Sequence, residues 1–190
     1  QETVRLFDEV YSTFGLTYQI ELSTMPEDHM GEENVWQFAE ETLQAANTAP
    51  TAMGQYENVH LTVITDAKLL AEIEAACAEF MGQPGSHPLY GAPTLVVASS
   101  RFPGEAMANP AYSDAAILVH TMSLAATALG VGCCYIWGAV VALSGRPELV
   151  KALGLPEGFV PCCGLVLGQS EEGYAPREIP QDRIGVNYVG

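Results

Sequence analysis

Gly91-Ala92-Pro93-Thr94-Leu95-Val96-Val97-Ala98 precedes Ser113-Asp114, a long run from Ala115 to Leu129, and then Cys133-Cys134-Tyr135-Ile136-Trp137-Gly138. Thr94 to Ala98 is nearly continuously apolar, the pattern of a strand covered on both faces rather than one with a wet side. Asp114 reads as a helix cap. From Ala115 to Leu129 only His120 and Ser/Thr hydroxyls interrupt an apolar surface on all sides, so this helix must be enclosed, at the centre of the fold or across a subunit interface. Cys133 to Trp137 is strand-like and ends at Gly138, with Trp137 expected in the core.

Working outward, Val59 to Thr65 is strand-like, and Asp66 can cap a helix whose buried stripe is Leu69, Ile73, Cys77 and Phe80. Upstream, Val35, Ala39, Leu43 and Ala46 recur at helical spacing between Glu33 and Asn47. Pro50 ends that helix, because proline cannot continue the hydrogen-bond ladder. Downstream, Pro147 and Gly154 bracket a short helix through Leu153, and Val160 to Gly168 is another buried strand. Phe7 to Gly31 reads as an extended excursion before the first clear helix. Alternating helices and covered strands predict a three-layer α/β arrangement.

The 190 residues suit one domain, with residues 1–32 as an N-terminal arm or insertion and 170–190 as a C-terminal arm. Seven Lys and Arg stand against 23 Asp and Glu, a formal charge of −16, while 48% hydrophobic residues argue for a real core. Such a surface repels phosphate backbones and anionic lipid, so nucleic-acid and membrane partners are not expected. The N-terminus lacks the basic and apolar regions of a signal peptide, and the helical part of Ala115 to Gly145 is short for a membrane span. Five cysteines, Cys77, Cys133, Cys134, Cys162 and Cys163, lack disulfide-framework or C-x-x-C metal spacing and read as small buried hydrophobes in a reducing cytoplasm. No metal site is expected.

No nucleophile elbow, P-loop, H-E-x-x-H or G-x-G-x-x-G is present, and the four histidines lack ligand spacing. An enzyme of this sequence therefore takes its chemistry from a cofactor. Five segments point to which one: Ala49-Pro50-Thr51-Ala52-Met53-Gly54-Gln55, the strand Val59 to Asp66, Tyr90-Gly91-Ala92-Pro93, Ala128 to Trp137, and Leu153-Gly154-Leu155-Pro156-Glu157-Gly158-Phe159. In this order, over about residues 33 to 170, they resemble the nitroreductase family. The resemblance implies an α+β, three-layer α/β/α fold with a mixed central sheet flanked by helices. It also implies a homodimer with FMN at the subunit interface, and two electrons passing from NADH or NADPH to a nitroaromatic, quinone or similar acceptor. The alternative is a flavin- or small-molecule-binding protein of the same fold without efficient turnover.

The resemblance also nominates cofactor-binding residues and no protein catalytic residue. Thr3 and Arg5 match half of the family's basic N-terminal motif, with Gln1 and Glu2 where two arginines usually stand. Thr51, Ala52 and Gln55 approach the flavin or its ribityl chain, although Gly54 replaces the family's Asn and its Trp is absent. Ile136, Trp137 and Gly138 fall where the family's backbone donates to the flavin N5 region. Arg177, in Ala175-Pro176-Arg177, matches a segment that returns a basic residue to the phosphate.

Overall fold

The computed structural model describes residues 40–102, 104, 108–170 and 182–190. A helix, α1 (residues 40–45), runs into a 3-10 turn at Ala46–Thr48; its beginning lies outside the described residues. Then follow β1 (Val59–Ile64), α2 (Ala67–Phe80), β2 (Thr94–Arg101), α3 (Ala108–Ala128), β3 (Gly132–Tyr135), α4 (Trp137–Ser144), α5 (Pro147–Ala152) and β4 (Phe159–Gly168). The sheet order is β1-β2-β4-β3. All three pairings are antiparallel. The mixed sheet expected from the resemblance is thus corrected for the described strands.

Residues of β2 alternate between two cores, which is why Leu95 to Ala98 is apolar without a break. Leu95 and Val97 pack with Ile73 and Cys77 of α2, Val140 and Leu143 of α4, and Leu149 of α5. Val96 and Ala98 pack with Ala115, Leu118, Val119 and Met122 of α3. Helices therefore cover both faces of the sheet. On the α2 side, Asp66 Oδ1 accepts the Leu69 N–H at 2.7 Å, the expected cap. The stripe is corrected at its end: Ile73 and Cys77 are buried, but Phe80 is 55% exposed beside the helix C-terminus.

Between Ala98 and Ser99 the register with β4 shifts, Ala98 pairing Cys163 and Ser99 pairing Pro161. Cys162 is the extra residue of a β-bulge, and the bulge lets Cys162 join Cys163 in the core facing α3. All five cysteines are free; Cys77, Cys162 and Cys163 are buried, whereas Cys133 and Cys134 are only half-buried, which corrects the expectation for that pair.

Gly164 marks the tightest contact between β4 and α4. A Cβ there would come within 2.9 Å of Val140 Cγ2 and 3.2 Å of the Ile136 carbonyl oxygen, the second being backbone with little room to yield. Gly164→Ala is expected to cost about 1–3 kcal/mol through overpacking, read as a lowered urea midpoint at unchanged slope. A midpoint equal to that of the parent would contradict this packing.

Candidate active site

After α1 the chain turns at Pro50, where helix cannot continue, and forms a short loop against α3. Ala49 is 1% exposed and fixes the entry. Met53 (φ 57°) and Gly54 (φ 67°) are consecutive left-handed residues. Gly adopts that conformation freely, whereas Met pays for it, so something outside the loop must hold Met53 there. Two hydrogen bonds do so. Tyr56 Oη donates to the Ala49 carbonyl at 3.0 Å, and the Ala52 N–H donates to Asp114 Oδ1 at 2.9 Å.

Asp114 is 8% exposed and lies on the buried stripe of α3 with Ala111, Ala115 and Leu118. It is not the cap that its position before an apolar run suggests, since α3 begins at Ala108. Its carboxylate instead latches a loop 62 residues upstream. Beside that latch, the Thr51 hydroxyl is buried with no hydrogen-bond partner. A buried hydroxyl without a partner is costly and suits a bound polar group. The loop's far end is also tied: Asn58 Nδ2 donates to Gln55 Oε1 at 3.0 Å, and Arg101 donates to Asn58 Oδ1 from Nε at 3.2 Å and Nη2 at 2.9 Å.

The second segment is the joint between β3 and α4. The strand stops at Tyr135, two residues earlier than the sequence suggests, and Trp137 opens a helix. Ile136 is 8% exposed and its N–H donates to the Gly164 carbonyl at 2.9 Å. Trp137 is 62% exposed, which corrects its expected place in the core. No side chain caps α4, so the first-turn N–H groups at Trp137 and Gly138 lack intrahelical acceptors and carry the positive end of the helix dipole.

Trp137 and Val140, on one flank of α4, border a cavity of about 600 Å³ lined also by Tyr112 and Ala116 of α3, Tyr135 and Cys162. Its size and aromatic walls suit a planar ligand. Tyr135 Oη donates to the Ala116 carbonyl at 2.6 Å. Burial, followed by the influence of Cys163, pushes the Tyr135 hydroxyl up to about 12, so it remains a proton-bearing donor at neutral pH. Burial likewise raises the thiols of Cys162 and Cys163, which keeps them neutral and poorly nucleophilic.

Of the nine residues nominated from sequence, Thr51, Ala52 and Gln55 share the loop, and Ile136, Trp137 and Gly138 share the helix start. Both groups abut α3, through Asp114 and through Tyr135, but the described hydrogen bonds do not join them to each other. Thr3, Arg5 and Arg177 lie outside the described residues. Sequence reading missed Asp114, Tyr112, Tyr135 and Arg101 as parts of the site. Only Tyr135, inside a quoted motif, carried any local signal.

The protein-family model described as "Nitroreductase family" matches residues 39–169. A nitroreductase with bound FMN from Desulfitobacterium hafniense DCB-2 aligns with 86% of this chain and 89% of its own at 24% identity and a TM-score of 0.67. A nitroreductase with bound FMN from Bacteroides fragilis NCTC 9343 aligns with 95% of this chain and 99% of its own at 25% identity and a TM-score of 0.65. Among curated proteins, the threonine–tRNA ligase of Thermotoga neapolitana is 54% identical over 43 residues, 23% of this chain and 7% of the ligase. The chain spans only that small share of the ligase, a stretch shorter than the roughly 50 residues of a small domain. The family match, by contrast, takes in the loop, the sheet, α3 and the α4 joint. This chain belongs to the nitroreductase family.

Proposed function

We propose that the protein is an FMN-dependent oxidoreductase, a cytoplasmic homodimer of three-layer subunits that passes two electrons from NADH or NADPH to a nitroaromatic, quinone or similar small acceptor. The observation that carries this reading is an aromatic-walled cavity of about 600 Å³ with Trp137, the first residue of the uncapped helix α4, in its wall. FMN-bound relatives of the same fold support it. Five buried hydroxyls lack a partner among the described residues, and that of Thr51 is the one in the nominated loop, where a flavin or its ribityl chain would satisfy it.

Bound FMN would supply the chemistry, taking up a hydride and passing the electrons on. The protein's part is to bind, orient and polarise. Thr51, Ala52 and Gln55 would hold one edge of the cofactor. Trp137 and Gly138 would present backbone N–H groups, which stabilise negative charge that develops opposite them, while Ile136, its own N–H held by the Gly164 carbonyl, would fix the start of α4. Thr3, Arg5 and Arg177 are proposed as phosphate contacts. They lie outside residues 39–169, so their assignment rests on the short motifs alone. Tyr112, Tyr135 and Trp137 would screen the cavity from water.

The purified protein is expected to be yellow or to bind added FMN, and anaerobic mixing with NADH or NADPH should bleach it rapidly. A protein that neither carries nor takes up FMN would sink the proposal. Flavin retained but bleached by neither nicotinamide would favour the binding protein without turnover.

A further inference from the structure

Three side chains at the end of the loop form a chain of hydrogen bonds whose direction is forced. Arg101 has only donors, and it points Nε and Nη2 at one atom of Asn58. That atom must be Oδ1, which leaves Nδ2 toward Gln55. Nδ2 only donates, so the Gln55 atom facing it must be Oε1. The outer end of Gln55 is then Nε2, a donor. Amide orientations are usually ambiguous by shape, but here an arginine removes the ambiguity two residues away. The arginine is itself held, its guanidinium 5.7 Å from the Phe159 ring centroid, and that ring packs edge-on against His60 at 5.8 Å.

We infer that Arg101, acting through Asn58, fixes the polarity of Gln55, so that this site residue offers an N–H donor and recognises a hydrogen-bond acceptor on its ligand. Arg101 and Asn58 are positioning residues. The inference rests on the reading of Gln55 as a cofactor contact; the relay itself does not. On FMN the acceptor is a ring carbonyl, a ribityl oxygen or a phosphate oxygen, all of one chemistry.

The test uses Asn58→Asp. A carboxylate keeps the Arg101 contact and adds charge to it, but it accepts hydrogen bonds only. Gln55 must then turn Nε2 inward and present Oε1 to the ligand. Stability by urea unfolding is expected to hold or rise, while FMN affinity, followed by fluorescence, falls about tenfold or more, the scale of one lost hydrogen bond that becomes a repulsion. A residue of structural importance alone would show the opposite ranking, with Asn58→Ala the worse variant. Arg101→Ala should weaken binding less, since it frees the amides without inverting them, and Arg101→Lys should restore part of the loss. Titrations with riboflavin and lumiflavin locate the acceptor. A penalty seen with FMN alone identifies the phosphate, one shared by FMN and riboflavin the ribityl chain, and one common to all three the ring carbonyl.

Unchanged FMN affinity in Asn58→Asp would overturn the inference. If the parent protein binds no flavin, the cofactor reading fails first, and the relay is judged in the ligand-free protein. Nitrogen-resolved NMR should then show slowly exchanging Asn58 side-chain amide protons that lose their protection in Arg101→Ala. Protection unaltered by that substitution would overturn the relay.

Discussion

Asp114→Ala is expected to lower stability by about 1–3 kcal/mol and to weaken FMN binding at least tenfold. The stability loss follows from the Ala52 N–H, which would be left without its acceptor in a partly buried position. The larger consequence falls on binding. The loop keeps Met53 in a left-handed conformation that costs of order 1 kcal/mol or more. With the carboxylate gone, that conformation loses the contact that repays it, and the loop relaxes toward ordinary backbone angles. Thr51, adjacent to the latched residue, and Gln55, three residues beyond it, would move with it. Asp114→Asn retains an oxygen acceptor of the same shape and should recover much of the FMN affinity. Paired urea and FMN titrations on the three proteins check this. Normal FMN affinity in a destabilised Asp114→Ala protein would show that the carboxylate only braces the fold.

Asp114 also shows where sequence reading stops. Ser113-Asp114 before a long apolar run mimics a helix start, because Asp favours caps for local reasons. Among the described residues the helix already runs from Ala108, six residues before Asp114. Local rules succeeded where the controlling contact was local. Asp66 caps α2, and Pro147 and Gly154 bracket α5, because each acts within a turn of itself. They failed where the controlling contact was distant. Trp137–Ser144 has no amphipathic period to betray a helix, since Ala139, Val140, Ala142 and Leu143 are buried between the sheet and α2. The bulge at Cys162 depends on pairing with β2, more than 60 residues upstream. The motifs placed the loop and the α4 joint correctly as segments, but the latch from Asp114 and the relay from Arg101 span 62 and 43 residues.

Charge distinguishes Arg101 from its counterparts. Among the described residues, Lys68 pairs with Glu72 at 3.8 Å and Arg146 pairs with Glu79, as expected in a protein so rich in acids. Arg101 instead spends its donors on an amide. An exposed ion pair is worth little, so those acidic partners hold surface geometry more than stability. An arginine directed at a neutral amide imposes direction without neutralising its own charge. That residual positive charge beside the loop is suited to a site that must attract an anionic cofactor in a protein with a formal charge of −16.

Ile117→Glu is expected to leave the subunit folded and to convert the proposed homodimer into monomers. α3 buries one face against the sheet, but its other face is not the enclosed surface that its sequence demands. Ile117 is 38% and Tyr112 49% exposed in the single chain, His120 is exposed, and Ala116, Ser123 and Leu124 are only half-buried. A helix this apolar needs cover on both sides, and two subunits each at −16 repel, so their association must be driven by apolar burial. A stable interface of at least about 1,000 Å² centred on this face would bury Ile117. A carboxylate there would add charge repulsion to lost burial, raising the dimer dissociation constant about 30-fold or more. The parent should sediment as a dimer and tighten with salt, because screening removes the repulsion. Ala116 and Tyr112 also line the cavity beside Trp137, so the monomeric variant should lose FMN as it loses its partner. A parent protein that sediments as a monomer, or a monomeric variant that keeps FMN at full affinity, would separate the cofactor site from the interface and leave each subunit to hold its flavin alone.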